Sequence, residues 1–190
     1  MRVFIAVELP DPIRRQLAQL QDELKSCQAD VSWVQPQNLH LTLKFLGEIE
    51  ESRLEPLQKA LQEVAGRQTA FRLRLEGIGA FPSTTFPRVI WVGAFEGADP
   101  LRRLAEAVDQ ACVSCGFTQE ERPFAVHLTV GRVRSKKQMV GLVKKLQMVE
   151  FKADQPAEII QVTLFQSVLS PKGPTYTALA KIPLGKATPG

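Results

Sequence analysis

The tripeptide His-Leu-Thr occurs twice in this 190-residue chain, at His40 and at His127, and the chain holds no other histidine. Both copies sit in runs that alternate apolar and polar residues, LHLTLKF and FAVHLTV, which predicts two β-strands. Residues two apart on a strand share a face. In the first strand Leu39, Leu41, Leu43 and Phe45 form the apolar set, with His40, Thr42 and Lys44 opposite. In the second, Phe124, Val126, Leu128 and Val130 oppose Ala125, His127 and Thr129. The fold must therefore bury one face of two similar strands and leave an imidazole and a hydroxyl side by side on the other.

The segments around the two strands follow one order. A strand is predicted at Val3–Glu8, then a helix from Pro12 to about Ser26 with Asp11 as its N-cap and Pro12 in its first turn. The first His-Leu-Thr strand, around Leu39–Leu46, precedes a helix from Glu51 to Ala65 stopped by Gly66, and then a strand at Phe71–Glu76. The second half reads as a strand at Val89–Ala94, a helix at Pro100–Cys115, the HLTVGRV strand and a helix over Lys136–Gln147. Strands at Glu158–Leu169 and Tyr176–Pro183 close it, joined by a Pro-Lys-Gly-Pro turn. Helix, His-Leu-Thr strand, helix, strand thus occurs twice, from position 40 to position 127, a spacing too long for a solenoid repeat. The expected fold is α+β and bilobal, with two mainly antiparallel sheets facing a central groove and helices on the outer faces. Residues 1–185 are expected to form a single bilobal domain, with 186–190 a loose tail.

Composition narrows the function classes. Hydrophobic residues make up 44% of the chain and charged residues 23%, enough for a core under an ordinary solvated surface. No apolar run approaches the ~20 residues needed to cross a bilayer. The opening MRVFIAVELP ends at Pro10 without a small-residue cleavage site and reads as a strand, so a cytoplasmic protein with no membrane partner is expected. Cys27, Cys112 and Cys115 are too few for a disulfide framework. The C-x-x-C pair at Cys112 and Cys115 falls on one helix face, where ordinary semi-buried thiols outweigh a redox or zinc role.

Charge is concentrated. The net value is +4, yet Arg122, Arg132, Arg134, Lys136, Lys137, Lys144 and Lys145 fall between Arg122 and Met148 with no acidic residue among them. A solvated helix face explains such a run as well as an anionic partner does, but its overlap with the second His-Leu-Thr motif points toward RNA.

Imidazole titrates near pKa ~6.5, so one histidine can take a proton while another gives one. Two of them across a groove suit displacement at phosphorus, one serving the nucleophile and one the leaving group. Thr42 and Thr129 can donate to non-bridging oxygens and hold developing negative charge. Strict alternation would send Arg132 to the apolar face, but a bulge or strand end at Gly131 would turn it toward the groove, where its planar fork suits phosphate oxygens. Lys44, by strand parity alone, joins the phosphate-binding candidates.

Taken together, HLTL at His40 and HLTV at His127 fit the paired H-x-[ST]-x signature, and the chain resembles the two-histidine (2H) phosphoesterase superfamily. The stretches RVFIAVELP, WVQPQNLHLTLKFLGEIE, FPRVIWVG, RPFAVHLTVGRVR and LFQSVLSPKGPTY make it most similar to the RNA 2′,3′-cyclic phosphodiesterase branch, also called 2′-5′ RNA ligase. The resemblance implies hydrolysis of a terminal 2′,3′-cyclic phosphate on RNA to a 2′-phosphate, with no cofactor and no required metal, and with ligation as the possible reverse. It makes His40 the proton donor to the departing 3′ oxygen and His127 the acceptor that activates water. Thr42, Thr129 and Arg132 would grip the phosphate. One departure stands out: Val126 occupies the position before the second histidine where this branch usually carries proline. Trp33, Phe81 and Phe86 are candidates to stack on a base, though core packing explains them too, and Arg134 is a candidate RNA contact. A monomer is expected. Two other readings remain: a non-catalytic RNA-binding module that keeps the groove, and a His-based metal hydrolase. Neither His-Leu-Thr segment contains an acidic ligand for the latter.

Overall fold

The computed structural model describes residues 1–186, so positions 187–190 of the predicted tail lie outside it. Along the chain the strands are β1 (Arg2–Glu8), β2 (Val31–Trp33), β3 (His40–Glu48), β4 (Phe71–Leu73), β5 (Leu75–Pro82), β6 (Pro87–Ala94), β7 (Leu128–Val133), β8 (Ala157–Ile159), β9 (Gln161–Val168) and β10 (Thr175–Pro183). The helices are α1 (Asp11–Lys25), α2 (Leu54–Arg67), α3 (Ala98–Ser114) and α4 (Met139–Met148), with short 3-10 turns at Pro36–Asn38 and Glu51–Arg53. Asp11 is the first helical residue rather than the N-cap; Pro10 holds that place, and the Asp11 carboxylate lies 3.7 Å from the Arg14 guanidinium.

Two antiparallel four-stranded sheets carry the groove, in the orders β10-β9-β1-β3 and β2-β7-β6-β5, with β4 and β8 paired separately. β1 is central to the first sheet because it is apolar on both faces: Val3, Ile5 and Val7 enter the main core, while Phe4 and Ala6 form a small second cluster with Phe165 and Tyr176. The lobes are not the two sequence halves. β2 leaves the first half to pair with β7, while β9 and β10 return from the second half to β1. α1 likewise reaches the second sheet, where the buried Gln21 donates from Nε2 to the carbonyls of Val34 (2.7 Å) and Val130 (2.9 Å). This crossing ties each lobe to the other half of the chain.

The strand at Phe71–Glu76 divides into β4 and β5, and the one at Glu158–Leu169 divides into β8 and β9, because the first piece of each turns away to form the small sheet. The second His-Leu-Thr strand starts at Leu128, four residues later than its alternation suggests. β6 pairs no further than Val92 with Leu128, and β2 no further than Trp33 with Gly131, so among the described residues no strand pairs with Phe124–His127 to complete a ladder.

Each His-Leu-Thr strand carries a bulge at the corresponding place. Ala6 faces Thr42 and Ile5 faces Lys44, leaving Leu43 as the extra residue; Trp91 faces Thr129 and Ile90 faces Gly131, leaving Val130. An extra residue resets the alternation of everything beyond it. The fourth residue after each histidine, Lys44 or Gly131, is therefore turned inward, and the fifth, Phe45 or Arg132, comes onto the histidine face. This corrects two expectations. Phe45, placed in the core by simple parity, is 67% exposed, and Lys44, placed on the open face, is 4% exposed. Arg132 turns outward as expected, but the slip occurs at Val130 and the strand continues to Val133. Gly131 serves close packing instead: a Cβ there would meet the Trp33 ring and the Val31 side chain at 2.8 Å. The displaced Val130 carbonyl accepts the Val34 N–H at 3.0 Å as well as the Gln21 amide, so the bulge leaves no buried acceptor unpaired.

Candidate active site

The two imidazoles are oriented by the same device. His40 Nδ1 lies 2.5 Å from the Asn38 carbonyl, and His127 Nδ1 lies 2.9 Å from the Ala125 carbonyl, in each case two residues upstream. A carbonyl can only accept, so each Nδ1 carries a proton and each Nε2 is the nitrogen left for chemistry. His40 Nε2 lies 3.0 Å from Thr42 Oγ1, placing imidazole and hydroxyl together as strand parity predicts. Asn38 is itself buried and fixed, its Nδ2 donating to the Pro174 carbonyl at 3.0 Å.

The surroundings of the two rings differ. His40 is packed among aromatic rings, stacked on Phe4 with centroids 4.9 Å apart, edge-on to Tyr176 at 5.1 Å and near Phe165 at 6.0 Å. Burial lowers its pKa to about 4, against a smaller opposing effect of the Asn38 hydrogen bond, so its ring is neutral at pH 7. Burial also raises the Tyr176 phenol, opposed by Arg2 and Arg132. His127 sits just ahead of β7 with one aromatic neighbour, Phe81, edge-on at 5.3 Å.

Both histidines, Thr42, Thr129 and Arg132 line one groove of about 1170 Å³. The turn Ser170–Pro174, which brings Lys172, also lines it, as do α3 and the segment after it, which bring Glu106, Asp109 and Glu120. Arg132 pairs across β2 with Ser32 and is exposed to the groove. Lys44 reaches the wall from below, but its ammonium is committed to Asp109 Oδ1 at 2.5 Å, the Thr118 carbonyl at 2.8 Å and Glu120 at 3.4 Å. Burial would push the Lys44 pKa down, yet the bond to Asp109 and the two carboxylate charges more than offset it and hold the pKa above its ordinary value. With its charge matched in this way, Lys44 is not a free phosphate ligand, and the parity argument for it fails at the Leu43 bulge.

The remaining candidates divide. Trp33 is half-buried over Gly131 and lines the groove. Phe81 backs His127 rather than lining the groove, and Phe86 is 43% exposed outside it beside the Arg88 guanidinium. Arg134 points away, its Nε 3.3 Å from Asp30. Of the basic stretch only Arg122 and Arg132 line the groove; Lys136, Lys137 and Lys144 are exposed on the turn before α4 and on α4 itself. Val126 is half-buried against the core, so the position where proline was expected packs inward. Cys112 is buried with its thiol pushed up to about 12 by burial, and it stays free, as does Cys115. Among the described residues no three His, Cys, Asp or Glu side chains gather as a metal cage.

Sequence reasoning missed Asn38, Phe4, Phe165 and Tyr176, the residues that orient and enclose His40. One signal was available. The first strand reads Val-Phe-Ile-Ala-Val, apolar at every position, which marks a strand covered on both faces rather than one.

Two lobes, each built on a four-stranded antiparallel sheet and each bringing a histidine and a threonine to one groove, define the 2H phosphoesterase class. The chain belongs to the family described as LigT like Phosphoesterase, whose model matches it twice, at residues 7–91 and 92–176. It is 36% identical to the RNA 2′,3′-cyclic phosphodiesterase of Methanothermobacter thermautotrophicus, over 93% of this chain and 95% of that protein. It is 39% identical to the protein of the same name from Archaeoglobus fulgidus, over 94% and 98%. Among solved structures, TT0787 of Thermus thermophilus superposes with a TM-score of 0.80 at 30% identity, covering 99% of this chain and 100% of that one. E. coli LigT complexed with 3′-AMP gives 0.74 at 28% identity, covering 96% and 97%.

Proposed function

We propose that this chain is an RNA 2′,3′-cyclic phosphodiesterase that opens a terminal cyclic phosphate to a 2′-phosphomonoester by two-histidine acid–base catalysis. The observation that carries the reading is the matched pair of Nε2 atoms, each fixed by an upstream carbonyl and each accompanied by a threonine two residues on, facing one groove. The names and full-length similarity of its relatives support the same reaction.

In this reaction His127 Nε2 takes a proton from water as the water oxygen bonds to phosphorus. The bond from phosphorus to the 3′ oxygen breaks, and that oxygen receives the proton of His40 Nε2. Thr42, Thr129 and Arg132 donate to the non-bridging oxygens, whose charge grows as the fifth ligand arrives. With its lowered pKa His40 is neutral at pH 7, so its proton must be taken up as the substrate binds; the phosphate charge beside Nε2 favours that uptake. The requirement for a 2′ oxygen selects RNA over DNA. Phe45, exposed on the groove face beside Phe4, offers a ring for the terminal base.

The reading carries with it residues 1–185 acting as one bilobal catalytic unit, a cytoplasmic monomer, no metal requirement and reversible 2′-5′ ligation. The deciding experiment is product analysis on a short RNA ending in a 2′,3′-cyclic phosphate, in the presence of chelator. A 2′-phosphate product lost in both His40→Ala and His127→Ala supports it. Salt-dependent RNA binding with no opening of the ring favours the binding-module reading instead.

A further inference from the structure

The ten residues Thr118–His127 form one wall of the groove and end on His127, yet they contain no helix or strand. Such a segment has to be held by something other than a ladder. Phe124 and Val126 pack against the core. Among the described residues, every hydrogen bond that reaches this segment from elsewhere comes from one node. Lys44 Nζ donates to the Thr118 carbonyl at 2.8 Å and approaches Glu120 Oε1 at 3.4 Å; Asp109 accepts the Glu120 N–H at 3.3 Å and the Lys44 ammonium at 2.5 Å. Lys44 Nζ can do this only because the Leu43 bulge turns it off the groove face toward α3. It lies four residues beyond His40 on the same strand.

We propose that Lys44 is a positioning residue: by joining Asp109 to Thr118 and Glu120 it suspends the wall that delivers His127 from the strand that carries His40. The lobes cross no strand ladder at this point, so this buried cation fixes the distance between the two imidazoles. Thr42, Thr129 and Arg132 are held by β3 and β7 and do not depend on the node. Its removal therefore acts on turnover more than on substrate binding.

The test uses Lys44→Met and the double variant Lys44→Met/Asp109→Leu, since leaving the partly buried Asp109 carboxylate without its cation destabilises by itself whereas removing both charges does so less. In both, kcat on a 2′,3′-cyclic nucleotide is expected to fall by roughly tenfold to a hundredfold, with KM changed by less than about threefold. The double variant is expected to recover much of the lost melting temperature without recovering kcat. Amide exchange in residues 118–127 is expected to be at least about tenfold faster in both variants. Asp109→Asn, which keeps shape and an acceptor, should show an intermediate loss of kcat and covers the case in which Lys44→Met does not fold. The proposal is overturned by a double variant whose kcat returns with its melting temperature, or by unchanged exchange in 118–127. The kinetic readout rests on the phosphodiesterase reading, but the exchange readout does not, so a wild-type chain inactive on cyclic phosphates would sink that reading alone.

Discussion

His40 lies face to face on Phe4, ring centroids 4.9 Å apart and planes 25° from parallel, and this stack closes off much of the water that an imidazolium would need. With a pKa of about 4 against an ordinary 6.5, the ring is neutral at pH 7 until an anion arrives. The chain has two histidines, so NMR titration of their ring protons should give two curves, one of them with a midpoint near 4. Saturating phosphate should move that curve upward, and calorimetry in buffers of different ionisation enthalpy should detect proton uptake on binding at pH 7. Two curves near 6.5 with no proton uptake would remove the Phe4 argument.

The same shift has a consequence for stability. A histidine whose folded pKa is lowered supports the fold fully above its unfolded value and loses that support as pH falls from about 6.5 through about 4. His40→Gln, which cannot be protonated, is expected to flatten the acid side of the melting-temperature profile in this window. A profile as steep as that of the wild type would assign the acid sensitivity elsewhere.

Each histidine should be worth roughly a hundredfold to ten-thousandfold in kcat on a cyclic nucleotide. Because the two protons move in one displacement, the double variant His40→Ala/His127→Ala should lose less than the product of the single losses. Thr42→Ala and Thr129→Ala are expected to lower kcat less, each removing one donor. Turnover that survives both histidine variants would leave the groove without its proposed chemistry.

Gln21 reaches from α1 to the carbonyl of the residue displaced by the second bulge. Gln21→Met keeps the volume but withdraws the donor, taking from the Val34 carbonyl its side-chain partner and leaving the Val130 carbonyl with one partner instead of two. A stability loss of about 1 to 3 kcal/mol follows from the weakened satisfaction of a buried acceptor. Since that bulge aims Arg132, KM for a cyclic nucleotide should also rise. A variant that loses stability while keeping KM would separate the bulge from the aim of the guanidinium.

Lys136, Lys137 and Lys144 are exposed and outside the groove. Their triple replacement by Ala should leave turnover of a cyclic mononucleotide unchanged. With a long RNA carrying the same end, it should raise KM and reduce the steepness of its dependence on salt. Equal effects on both substrates would show that these lysines act through the fold.

The first His-Leu-Thr strand, the pairing of His40 with Thr42 and the layered α+β class were legible because period-two alternation is a local signal, whereas the second strand begins at Leu128, past His127. The exchange of β2, β9 and β10 between lobes was not legible, since nothing local records which distant strand supplies the partner. Lys44 and Phe45 were exchanged for one reason: a bulge is a property of the pair of strands and cannot be read from one of them. Asn38 and Tyr176 were missed because they act on His40 from a turn and from the far edge of a sheet.

The one-residue slip at Leu43 and at Val130 gives the groove a head and a tail. Up to the bulge the two strands present the same pair of side chains, so a ligand recognised by those four residues alone could sit either way round. The first side chain past the slip that faces the opening is a flat hydrocarbon ring in one strand, Phe45, and a fixed cation in the other, Arg132. An end group with a base on one side and a phosphate on the other then has a single seating. Past the shared slip, two related strands thus acquired opposite tastes through the identity of one residue each.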